Sequence, residues 1–160
     1  MNIILYGLLA SLLAGLSTGV GALPILFFKD VSDRVLDVML GFAAGVMLAA
    51  SSFSLLVPAL KISDVWTVAI GFSLGALIIH LIDRYTPHLH IWTGVEGPKS
   101  SKLSGMMLMV VAITIHNFPE GVTVGVSFGG GDVARGVLVA LAIGLQNIPE
   151  GLAVAFSSRA

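Results

Sequence analysis

The chain has 160 residues, 56% of them hydrophobic and 11% charged, with a mean hydropathy of +1.00. A soluble domain carries about 25% charged residues because its surface must face water, so a soluble enzyme is excluded. Eight basic against nine acidic residues give a net charge of -1 and no basic face for nucleic acid, and the absence of cysteine removes disulfides, thiolate metal sites and cysteine nucleophiles together.

What remains is an integral membrane protein, and the spacing of charges counts its helices. Residues 1–28 carry no charge before Lys29, and 38–60 and 65–82 carry none either; 103–131 and 136–158 carry one each, Glu120 and Glu150. A spanning helix needs about 20 mostly apolar residues, whereas a β-barrel would show short alternating segments. The pattern predicts an all-α membrane protein, a polytopic bundle of five transmembrane helices over about 3–28, 37–60, 65–83, 104–129 and 134–158 in one transmembrane domain. The first stretch opens MNIILYG, without a basic n-region, and is too long for the apolar part of a signal peptide. Glycines such as Gly41, Gly45, Gly71 and Gly75 are read as sites of close helix packing. Lys29, Arg34, Arg84, Lys99, Lys102 and Arg159 fall on one side of the five spans, and Lys61 and Arg135 on the other. The richer side is cytoplasmic, so the N-terminus is expected outside, in a cell membrane, with a cytoplasmic and mobile loop over 85–103 punctuated by Pro87, Gly94, Gly97 and Pro98.

An internal repeat marks the last two spans. Residues 112–128, AITIHNFPEGVTVGVSF, and 142–158, AIGLQNIPEGLAVAFSS, agree at eight positions at an offset of thirty. That length is one helix and a turn, so the copies lie on consecutive antiparallel helices. His116 and Glu120 are four apart and share a helix face; Gln146 and Glu150 repeat the spacing. Asn117 and Asn147 sit about 100° around from them, and Pro119 and Pro149 free the carbonyls of Ile115 and Leu145. A mid-membrane carboxylate costs about 2.5 to 3.5 kcal/mol on insertion scales, and two facing carboxylates also repel. A divalent cation cancels both charges. Histidine nitrogen with carboxylate and amide oxygens suits Zn²⁺, Fe²⁺ or Mn²⁺ better than Mg²⁺ or Ca²⁺.

HNFPEG at 116–121 and QNIPEG at 146–151, together with GFAAGVMLAASSFSLLVPAL at 41–60, resemble the ZIP family of zinc/iron permeases, its bacterial branch in particular. The resemblance implies uptake of a divalent metal toward the cytoplasm, zinc first, with iron, manganese or cadmium as alternatives. The metal is then transported substrate and not cofactor, moved by an elevator-like displacement of one helix bundle against another. It also implies that His116, Glu120, Gln146 and Glu150 form the main metal site, that Asn117 and Asn147 border a second metal, and that Met47 approaches from the second helix. Gln146 and Asn147 are neutral where other members carry His and Asp. Members have eight membrane helices, so the chain is expected to correspond to the first five.

Other readings stand beside this one. The polar clusters could serve as packing glue between helices. A metal-binding but transport-incompetent fragment or subunit is the principal alternative, and an intramembrane metal-dependent hydrolase is a weaker one, since the zinc-protease signature H-E-x-x-H does not occur. His80 is read as an interfacial partner of Asp83, His88 and His90 as a low-specificity H-x-H, and residues 30–37 as a solvated turn. The partners expected are divalent metal ions and the lipid bilayer, with a homodimer left open and nucleic acid excluded.

Overall fold

The computed structural model describes residues 2–90, 94–98 and 104–157. Among them, five helical stretches are long and apolar enough to cross a membrane: Ile3–Leu26, Asp33–Ile62, Val65–Tyr85, Gly105–Gly129 and Val133–Phe156. The protein is a multi-pass, almost wholly α-helical membrane protein.

Each helix begins and ends for a local reason. Helix α1 (Ile3–Ala22) starts where the Asn2 side chain accepts the Ile4 N–H at 3.2 Å, and runs out into a 3₁₀ turn, Leu23–Leu26, at Pro24. Helix α2 (Asp33–Ala49) begins after Ser32 in extended conformation, with Asp33 placed against the positive end of the helix dipole. The same stretch continues through a π-helical turn, Ala50–Leu56, into α3 (Val57–Ile62). Pro58 explains the turn: its ring would crowd the carbonyl four residues back, and widening the helix relieves that crowding. There the Val57 N–H reaches the Ser52 carbonyl, five residues away. Helix α4 (Val65–Tyr85) is capped by Asp64, whose carboxylate accepts from the Trp66 and Thr67 N–H groups at 2.9 and 3.1 Å and from the Thr67 hydroxyl at 2.6 Å. The Thr67 hydroxyl holds the Asp64 carboxyl below its ordinary pKa.

The segment between α4 and the next helix, expected to be a mobile loop, carries an antiparallel pair of short strands, β1 (His88–His90) and β2 (Gly94–Glu96), with His88 opposite Glu96. Gly97 makes this possible. Its φ is +77°, and a Cβ there would lie 2.3 Å from the Thr86 carbonyl oxygen, so only glycine lets the returning strand pass the end of α4. Residues 91–93 and 99–103 lie outside the described residues.

Helices α5 (Gly105–Gly129) and α6 (Val133–Ser157) complete the chain, joined by a turn at Gly131 with φ +83°. The chain divides into two units, Met1–Val57 with Glu120–Ala160, and Pro58–Pro119, and both internal borders fall at a proline.

In the first unit α6 is the spine, packing along α1 and α2. Its seam with α1 is built from small residues. A Cβ on Gly21 would sit 2.0 Å from the Ile148 carbonyl oxygen, and one on Gly151 only 1.9 Å from that of Thr18; Gly144 faces Ala14 and Ser17. Because lipid is as apolar as leucine, helices in a membrane gain by close van der Waals approach and not by hiding apolar surface, and backbone against backbone is the closest approach available. Beside the seam, Ala14, Val124, Phe128, Val139 and Ile143 form a buried cluster, with Tyr6 stacked on Phe128 at 6.5 Å between ring centroids. Ser11 adds a directional tie by donating to the Gly121 carbonyl at 3.0 Å. The second unit holds most of α3, α4, the strand pair and the first part of α5; no residue of α4 is buried.

Candidate metal site

Pro119 and Pro149 lie inside α5 and α6 without ending either helix, and each is followed at once by the glutamate of its repeat. Gln146 is 1% exposed, and its Nε2 donates to Glu120 Oε1 at 2.7 Å. The carboxamide Oε1 of Gln146 is buried and, among the described residues, has no hydrogen-bond partner. Glu150 lies one turn beyond Gln146 on the same helix and is partly buried. One carboxylate–amide pair with an orphaned amide oxygen thus lies in the first unit, and a second carboxylate stands one turn along α6. Chemically this is an oxygen-rich acceptor set short of positive charge.

His116 is exposed and belongs to the second unit; its Nδ1 lies 2.8 Å from the Ala112 carbonyl. A carbonyl only accepts, so the proton sits on Nδ1, and in the neutral ring Nε2 carries the lone pair a metal would use. Asn117 donates to the Ile113 carbonyl at 3.0 Å. Asn147 is fully buried and donates across to α1, to the Ala14 carbonyl at 3.0 Å. Met47, 37% exposed, sits on α2 just before the π turn, on a helix that packs against α6.

A second cluster was not found from the sequence. In the second unit, His88 is fully buried, with its Nε2 3.0 Å from Asp83 Oδ1 and 3.9 Å from Glu96 Oε2, and its Nδ1 2.8 Å from the Thr86 carbonyl. Asp83, read from the sequence as a partner for His80, meets His88 instead, because the chain turns back at the end of α4. One ligand atom from each of Asp83, His88 and Glu96 lies within 4.8 Å of the others. Tetrahedral zinc with bonds of about 2.0–2.2 Å needs its ligand atoms about 3.3–3.6 Å apart, so a three-ligand site requires the 3.0 Å His88–Asp83 separation to open slightly and the 3.9 Å His88–Glu96 separation to close. The signal in the sequence was Gly97, which marks where the strand carrying Glu96 returns to α4. His88→Ala is expected to remove the tie between strand and helix; amide hydrogen exchange at residues 88–90 and 94–96 should rise at least about tenfold, and unchanged protection would show that His88 does not hold the pair.

No family model matches the chain. Among curated proteins it is similar to a zinc transporter, GufA, of Myxococcus xanthus, with 43% identity over 143 residues, covering 84% of this chain and 56% of that protein. A zinc transporter of Bordetella bronchiseptica, ZIPB, is 42% identical over 144 residues, covering 82% of this chain and 46% of the relative. A zinc transporter of Chlorobaculum parvum, ZupT, is 37% identical over 137 residues, covering 74% and 51%. The chain spans about half the length of these relatives.

Proposed function

We propose a function from the premise that this chain belongs to the ZIP family of zinc/iron permeases: it is a membrane transporter that carries a divalent cation, zinc first, toward the cytoplasm. The relatives are named zinc transporters, and the observation in this chain that carries the reading is the pairing of Gln146 with Glu120 at 2.7 Å beside an orphaned amide oxygen. Buried polar atoms are ordinarily matched; an unmatched oxygen on the amide that already binds the Glu120 carboxylate suits a site whose partner is an ion that comes and goes.

Glu120, Gln146 and Glu150 supply oxygens, and His116, one turn before Glu120 on the same helix, supplies the nitrogen that favours zinc over magnesium. Asn117 and Met47 are further ligands by position. Glu120 and Glu150 bind as carboxylates, so cation and protons compete for them. Transport by an elevator-like movement of one helix bundle against another, an N-terminus outside and a catalytically inactive role are parts of the same reading. On the cytoplasmic side of that orientation, Asp83, His88 and Glu96 offer a second station for the released ion.

Titration of the detergent-purified chain with zinc in excess magnesium tests the reading by calorimetry. Saturable binding that magnesium does not suppress is expected. A folded chain that takes up no zinc overturns it.

A further inference from the structure

The two polar residues that neighbour each other in the second repeat face different helices. Gln146 and Glu150 stand four apart on one stripe of α6, with Gln146 Nε2 on Glu120. Asn147 stands about 100° around, on the stripe it shares with Gly144 and Gly151. That stripe is the seam with α1: Gly144 against Ala14 and Ser17, Gly151 against Thr18, and Ile148 against Gly21. Asn147 is at its centre, fully buried, its N–H donated to the Ala14 carbonyl at 3.0 Å.

We propose that Asn147 is a positioning residue, which clamps α6 to α1 and so fixes the rotation at which Gln146 and Glu150 are presented to Glu120. This rests on the metal reading above and assigns Asn147 a role other than that of a bordering ligand. The physical reason lies in the seam. Glycine faces let two backbones touch but specify little, because a smooth contact tolerates sliding and rotation; a hydrogen bond is directional and weakens steeply when its angle departs from linear. Inside a membrane the clamp is hard to replace, since water is not there to take over the Ala14 carbonyl or the amide. A rotation of α6 that breaks this bond also swings Gln146 Nε2 away from Glu120, because both residues ride on one rigid helix. Ser11, donating to the Gly121 carbonyl one residue beyond Glu120, ties the same helix α1 to α5. Helix α1 is thereby joined to both glutamate-bearing helices and acts as their common jig.

The chain contains no cysteine, which allows a covalent clamp to be tested in place of the hydrogen bond. A Cβ built on Gly144 lies 3.4 Å from Ser17 Oγ, so Ser17→Cys with Gly144→Cys is placed to close a disulfide between α1 and α6. Zinc affinity is measured for the unsubstituted chain, for Asn147→Ala, and for Asn147→Ala carrying the two cysteines, oxidised and then reduced. Asn147→Ala is expected to bind zinc about tenfold more weakly, as for loss of a group that orients ligands; oxidation restores the affinity to within about threefold, and reduction abolishes the rescue. The two cysteines alone, in the Asn147 background, serve as the control for folding and affinity. If Asn147 is instead a ligand, the disulfide closes and affinity stays low, which overturns the proposal while leaving the metal site intact. Unchanged affinity in Asn147→Ala overturns it as well. Absence of zinc binding in the unsubstituted chain overturns the metal reading and the positioning role with it.

Discussion

Glu120→Gln with Glu150→Gln is expected to bind zinc at least about 100-fold more weakly than the unsubstituted chain, as befits removal of charged ligands where loss of outer partners alone costs 10- to 100-fold, while unfolding at the same temperature or higher. The two halves of that expectation have one cause. A carboxylate at membrane depth costs free energy that only a partner returns. Glutamine keeps the volume, keeps an acceptor for the Gln146 N–H, and removes the charge. The metal-free fold therefore loses nothing large and is spared the burial cost of two carboxylates, whereas the cation loses the charge that draws it. A simple packing role for the two glutamates predicts the reverse, a lower unfolding temperature with zinc binding unaltered. Calorimetry paired with thermal unfolding in the same detergent separates the two, and a variant that binds zinc as well as its parent removes Glu120 and Glu150 from the site.

The second large effect concerns the fold. Gly151→Val is expected to cost about 3 kcal/mol or more, at or beyond the upper part of the range for overpacking, and to prevent stable association of α1 with α6. Its Cβ would lie 1.9 Å from the Thr18 carbonyl oxygen, and the obstacle is backbone, which cannot rotate aside as a side chain can. Gly21, whose Cβ would meet the Ile148 carbonyl at 2.0 Å, behaves in the same way. Glycines at Gly15 and Gly19 on the same helix have nothing within 4 Å of a built Cβ. There alanine is expected to be neutral or stabilising by up to about 1 kcal/mol through its better helix propensity. Thermal unfolding of Gly151→Val beside Gly15→Ala checks the contrast; equal behaviour of the two would mean that the seam is not close-packed.

Two quantities that act along the chain were legible without coordinates. One is uninterrupted apolar length, which alone decides whether a segment can cross a membrane; it marked the five helices because lipid penalises charge wherever it falls. The other is helical spacing, by which His116 and Glu120, and Gln146 and Glu150, share faces at an interval of four. The repeat at an offset of thirty then set the two clusters on consecutive helices. Family membership was legible for the same reason, since HNFPEG and QNIPEG are contiguous. The π turn at Ala50–Leu56 had its local sign in Pro58, although the widening itself is one of several ways a helix meets a proline.

Only the tertiary structure decided which polar atoms meet. Neighbours in sequence, Gln146 and Asn147 differ in role because α6 turns one toward Glu120 and the other toward the Ala14 carbonyl, and spacing along a helix says nothing about what lies opposite each face. His88 joined Asp83 and Glu96 because a glycine with positive φ let a short strand fold back on the end of α4; its partners stand five residues before it and eight after, at neither helical nor strand spacing from it. The apolar pattern along a chain is a statement about its solvent, and so it can be read locally. Pairings between helices depend on shape, on where glycine permits backbones to touch, and shape exists only once the helices are together.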